Sequence, residues 1–220
     1  MCFSATGSFG VAAVIAGIGA VAVAQNKPRS HWMLAVVPLM FAAQQVTEGI
    51  VWLTIGDPRY QPANLAAVAM FLLFALVVWP LWVPLSLLKA ERKPGRRRAL
   101  AVLVCCGAAV AIYAAIDLLR GRPTAHVAGH SIAYSYGTHA PALVLALYLP
   151  AYVIPSVVPF FVSSVSKAKI MGVILALALA ATILLQRQAL ASVWCFFAAI
   201  LSVFIVLGIG KDHRLAIKIG

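Results

Sequence analysis

"ANLAAVAMFLLFALVVWPLWVPLSLLKAERKPGRRR" occupies residues 63–98. Positions 63–88 carry no charged side chain, whereas the ten that follow carry Lys89, Arg92, Lys93, Arg96, Arg97 and Arg98. A helix needs about 20 apolar residues to cross the hydrocarbon core of a bilayer. A dense cluster of Lys and Arg marks the cytoplasmic end of such a helix. The stretch therefore reads as one membrane span delivered to the cytoplasmic face, and it sets the terms for the rest of the chain.

The composition agrees. Of 220 residues, 64% are hydrophobic and 10% charged, with a mean hydropathy of +1.01. A soluble domain carries about 25% charged residues. The apolar runs are long and continuous, which excludes the alternating pattern of a membrane β-barrel. The net charge of +12 does not point to nucleic acid, because Lys and Arg punctuate apolar segments instead of coating a domain. They point to topology and to anionic lipid headgroups at the cytoplasmic face.

Seven spans are predicted, at 8–25, 32–55, 63–88, 100–119, 140–162, 170–185 and 190–209, within a single domain covering 1–220. The opening "MCFSATGSFG" lacks a basic leader region, so its apolar run reads as the first span. Of the 17 Lys and Arg residues, only Arg59, Arg120, Arg122 and Arg187 fall on the side opposite the 89–98 cluster. The positive-inside rule then places the N-terminus outside and the C-terminus in the cytoplasm. Pro80, Pro84, Pro150, Pro155 and Pro159 should kink the third and fifth spans. Cys105 and Cys106, in the fourth span, read as core residues.

The second span contains "FAAQQVTEGIVW", residues 41–52. A carboxylate inside a membrane costs about 2.5–3.5 kcal/mol on the translocon scale and marks a functional site by default. Gln45, Glu48 and Trp52 share one helical face, with Gln44 beside them. Glu48 falls roughly 10 Å below the outer interface, at 1.5 Å rise per residue. Ser192, Trp194 and Cys195 reach the same level from the last span. The outer loop 121–139 carries "TAHVAGHSIAYSYGTHA", in which His130, Ile132, Tyr134 and Tyr136 alternate with small residues. That period of two predicts an extended segment or hairpin, suited to lie over the bundle mouth as a lid. Cys2, Glu48, Asp117, His126, His130, His139 and Cys195 thus all fall in the outer half.

Four segments occur together: "MCFSATGSF" at 1–9, "QQVTEGIVW" at 44–52, "GHSIAY" at 129–134 and "SVWCFFAA" at 192–199. The set resembles an uncharacterised bacterial family of polytopic membrane proteins, a domain of unknown function. The resemblance implies a polytopic bacterial membrane protein and implies no activity; the expected location is the bacterial cytoplasmic (inner) membrane. Its motif positions here are Cys2, Gln45, Glu48, Trp52, His130, Trp194 and Cys195. Microbial rhodopsins and the seven-helix ceramidase-type hydrolases share only the helix count, because the last span has neither the retinal lysine nor a histidine pair.

Three functions fit these residues. The first is a polar pocket in the extracytoplasmic half that binds or passes a small ligand, ion or proton. Glu48, Gln45, Gln44, Trp52, His130, Tyr134 and Trp194 would line it. The second is a membrane-embedded enzyme. It would hold zinc or copper through Cys2, His130, Cys195 and Glu48, or use Cys2 and Cys195 as a redox pair in an oxidising compartment. The third is a structural or accessory protein whose polar cluster fixes helix packing.

Overall fold

The computed structural model describes residues 4–25, 31–135, 142–165, 167–185 and 189–203. Among these, seven helical runs succeed one another, and five are long and apolar enough to cross a membrane. The first is α1 (Ala5–Gln25). The second is α2 (Trp32–Ala35) with α3 (Val37–Thr54), interrupted at Val36 just before Pro38. The third joins α4 (Gln61–Leu72), a π-helical segment (Leu73–Val78) and α5 (Trp79–Ala90). Then follow α6 (Pro94–Arg120), the strands β1 (Thr124–Ala128) and β2 (Ser131–Ser135), α7 (Ala142–Val162), α8 (Ala168–Leu185) and α9 (Leu190–Val203). The protein is a membrane-embedded all-α bundle. The expected span at 190–209 runs beyond the described residues after Val203.

One boundary differs from the sequence expectation by almost two turns. The fourth helix begins at Pro94, so Arg96, Arg97 and Arg98 lie on its first turns and not in a loop. Proline suits that position, since its missing N–H belongs to the donors that no helical carbonyl would use. Cys105 and Cys106 are exposed on α6, not buried in the core. Lipid accommodates a thiol as readily as a protein interior does, so apolar character alone does not separate the two environments.

The expected disturbance at Pro80 takes a specific form. The backbone N–H of Trp79 bonds the carbonyl of Phe74, five residues back instead of four. The Ala75 carbonyl, which Trp79 would ordinarily cap, has lost its helical donor, and Pro80 has no N–H to offer it. The Tyr152 hydroxyl of α7 donates to that carbonyl instead, at 2.6 Å. A π-helical turn of this kind is a recurrent mark of functional regions. Its effect here is to fasten the third span to α7 and to reset the direction of the Trp79 side chain.

Pro84 leaves a second carbonyl free, that of Pro80. Gly107 of α6 lies against it so closely that a Cβ at position 107 would overlap the carbonyl oxygen. Backbones approach this closely in membranes where one partner lacks a side chain. Gly49 of α3 instead makes room for a side chain, the Phe9 ring of α1, which a Cβ at position 49 would approach to 2.7 Å.

The two ends of the bundle are built differently. At one end the turn between α5 and α6 holds Glu91, only 2% exposed. Its carboxylate accepts hydrogen bonds from the backbone N–H groups of Arg92 (3.0 Å), Lys93 (2.9 Å) and Ser164 (2.6 Å), and from the Ser164 hydroxyl (2.6 Å). Burial pushes the Glu91 carboxyl up, but these donors outweigh it and hold it down at about 2. Arg97 donates to the carbonyls of Leu88 and Glu91 and closes the end of α5. His31 lies at the same end, where burial and the Arg92 charge lower its pKa. The segment entering the second span, the 89–98 loop and the α7–α8 turn therefore share one end. The hairpin occupies the other end, where Ile132 is wholly buried with Val51, Phe71, Leu72 and Cys195.

The contact at Gly107 makes a direct test of α5–α6 packing. Gly107→Ala should lower stability by about 1–3 kcal/mol, the usual cost of overpacking, measured by reversible unfolding in detergent. Gly17→Ala is the control, because nothing lies within 4 Å of its added Cβ, and it should be neutral or slightly stabilising.

Candidate functional site

The polar residues of the second span form one connected group. Gln44, Gln45 and Glu48 are each 0% exposed, on the inward side of α3. The Gln45 Nε2 donates to Glu48 Oε2 at 3.2 Å, the i, i+3 geometry that the spacing predicts. The Ser192 hydroxyl of α9 donates to Glu48 Oε1, so the acid joins the second span to the last. Neighbouring Gln44 reaches the third span, where the Trp79 indole N–H donates to its Oε1 at 2.7 Å. Phe41 stacks on the Trp79 ring at 3.9 Å and keeps it in place. The reset register of the π-helical turn thus ends in a hydrogen bond to Gln44.

Two atoms of this layer have no hydrogen-bond partner although fully buried: Gln44 Nε2 and Gln45 Oε1. Leaving an amide group unpaired in an apolar interior costs several kcal/mol. The Gln44 amide lies beside the Cys195 thiol of α9, without the alignment of a hydrogen bond.

Below this layer, towards the Glu91 end, lies a cavity, part of about 680 Å³ of unfilled space that includes the open region outside its mouth. Its walls come from α2 and α3, α5, α7, α8 and α9. Trp79, Tyr152, Trp194 and Cys195 form its upper part, and Leu34, Phe160, Met171 and Leu201 its lower part. Above the polar layer sits the hairpin. Tyr134 stacks on Phe71 at 4.4 Å, and Ile132 plugs the apolar cluster beneath.

The residues singled out from the sequence divide in three. Gln44, Gln45, Glu48, Trp194 and Cys195 meet at or beside the polar layer, joined by Ser192. Trp52 is half-buried and packs with Tyr134 against the hairpin-end cluster, one level above. His130 is exposed at the hairpin turn, next to Gly129, whose φ of +62° suits a residue without a side chain. The alternation of β2 is only partly one-sided, since Ser131 and Ala133 are buried as well as Ile132. Among the described residues no three His, Cys, Asp or Glu side chains gather at a metal-binding distance. Cys2, Tyr136 and His139 lie outside the described residues, so the Cys2–Cys195 pairing falls there too.

Three contributors escaped the sequence reading. Trp79 looks like an interfacial aromatic in a proline-rich run. Tyr152 sits in an apolar, proline-rich helix. Glu91 is hidden among six cations, and its one signal is an acid three residues before a proline that opens a helix.

Fold and site together define a polytopic helical membrane protein with a buried polar layer above an apolar cavity. The chain belongs to a family of unknown function (DUF6629), whose model matches residues 1–218. Comparison with curated proteins and with solved structures finds no similar chain.

The Glu48 contacts predict a graded response. Glu48→Gln keeps an acceptor for Ser192, and its amide can pair with the unpartnered Gln45 Oε1 after a flip of the Gln45 amide. It should unfold within about 1 kcal/mol of the native protein. Glu48→Ala strands two donors and opens a void, which should cost about 2–4 kcal/mol. Reversible unfolding of both variants in the same detergent gives the comparison.

Proposed function

We propose that this protein binds a small, largely apolar molecule drawn from the bilayer, with the Gln44–Glu48 layer as the polar end of its site. The observation that carries this reading is the cavity beneath that layer, walled by aromatic and aliphatic side chains and bordered by a buried, unsatisfied amide. Ligand sites are mostly apolar concavities with a few polar groups that fix orientation. The hairpin over one end and the Glu91 turn at the other favour holding a molecule over conducting one. In this reading Glu48 positions Gln45 and Ser192, and the hairpin closes the bundle above them.

A purely structural role for the polar layer is the second reading, and the Glu48–Ser192 bridge between α3 and α9 favours it. The bilayer is a partner under either reading, with anionic headgroups against the Arg96–Arg98 end. The grouping of the basic loops at the Glu91 end supports placing that end in the cytoplasm of a bacterial inner-membrane protein. A reporter fused after Gly220 is expected to read cytoplasmic and one inserted at Gly121 extracytoplasmic; the opposite pattern would reverse the assignment.

Cavity occupancy has its own test. In nanodiscs, 1-bromododecane should quench the fluorescence of the lining Trp79 and Trp194 saturably. Ser156→Phe, which fills the cavity from α7, should abolish the saturable part while leaving the melting temperature nearly unchanged. Quenching that rises without saturation, equally in both proteins, would leave the structural reading.

A further inference from the structure

The polar groups around the cavity specify more than its size. Three serines line it: Ser86, Ser156 and Ser202. Each spends its hydroxyl hydrogen on a carbonyl of its own helix, that of Val83 at 2.8 Å, Tyr152 at 2.8 Å and Ala199 at 2.6 Å. The Tyr152 hydroxyl is committed to the Ala75 carbonyl, and the Trp194 indole to the Leu175 carbonyl at 3.4 Å. The Trp79 indole is committed to Gln44. The lining therefore presents no strong donor that still needs an acceptor.

Behind the wall, between Trp79 and Cys195, Gln44 is different. An indole N–H can only donate, so the Gln44 oxygen must face Trp79. The Nε2 then points the other way, towards Cys195, which lines the cavity. This nitrogen is fully buried, and the acceptor beside it is the weak Cys195 sulfur, which it meets without hydrogen-bond geometry. The orientation of the amide is thus settled by its neighbour and leaves its amino group, with two N–H donors, beside a small and poorly hydrogen-bonding thiol.

We propose that the ligand is a neutral, apolar molecule bearing a single carbonyl-type acceptor, received by Gln44 Nε2 at the Cys195 position with its apolar body in the cavity below. This rests on the cavity-binding reading and narrows it. A ligand rich in donors or carrying a charge has nothing to pair with among the committed serines, and a plain hydrocarbon leaves the amide unsatisfied. An anion would meet the Glu48 carboxylate in the adjacent turn of α3.

The experiment is displacement of 1-bromododecane from the protein in nanodiscs by 2-tridecanone or n-tridecane at equal mole fraction in the lipid. The wild-type protein should favour the ketone about tenfold, the worth of one buried hydrogen bond. Gln44→Leu should erase that preference while leaving tridecane unchanged. Gln44→Met, which keeps the length of the side chain and removes only its amide, should do the same if Gln44→Leu fails to fold. The carbonyl stretch of bound ketone should move to lower frequency in the wild type and not in the variants. Equal displacement by ketone and alkane in the wild type overturns this inference and leaves the cavity reading standing. Absence of any saturable bromododecane quenching overturns both.

Discussion

The hydrogen bond from the Trp79 indole to Gln44 Oε1 is the contact on which the interior of the bundle turns. A bilayer offers no water to a stray polar group, so every helical irregularity must be satisfied from within the protein. Pro80 forces such an irregularity. The π-helical turn that answers it frees the Ala75 carbonyl, which Tyr152 takes, and re-aims Trp79 at α3. Gln44 then has only one way round, and its amino group is turned towards Cys195 on α9. A single proline thereby couples α3, the third span and α7 through directional bonds, whereas α9 is held to α3 by the separate Ser192–Glu48 bond.

Much of the fold was legible because bilayer thickness is so strong a constraint. Long uncharged runs ended by Lys and Arg locate spans whatever their partners are, and the observed helices follow them. What was not legible is which face of each helix looks inward. In water, burial and hydrophobicity coincide. In lipid they separate: Val102 is 62% exposed and Leu184 82%, and both are as apolar as the core. The exposed Cys105 and Cys106 were misplaced for that reason.

The site was legible in proportion to the cost of its residues. Glu48 stands out because an acid in hydrocarbon needs partners, and its i, i+3 relation to Gln45 is fixed by helix geometry. Ser192 was placed at the level of Glu48 but not paired with it, since a hydroxyl can satisfy itself on its own helix, as Ser156 and Ser202 do. Trp79 was invisible as a site residue because its role depends on the turn preceding it. Glu91 was concealed by the cations around it, yet its stabilising donors are mainly backbone N–H groups and the Ser164 hydroxyl, not those cations.

The two ends of the bundle are held by forces of different character, which under the proposed cavity-binding reading bears on where a ligand would enter. The Glu91 end is closed by short hydrogen bonds to a buried carboxylate that stays ionised above a pH of about 2, and losing any one of them leaves a buried charge underserved. The hairpin end is closed by apolar and stacking contacts, chiefly Ile132 and the Tyr134–Phe71 pair. Such contacts are non-directional and can slide or part without stranding a polar group. Opening at the hairpin, however, leads onto the Glu48 layer, whose desolvated acid is a poor passage for an apolar molecule. A hydrophobic ligand therefore has its cheaper route sideways, between lipid-facing helices and into the cavity below that layer, where the wall is already apolar.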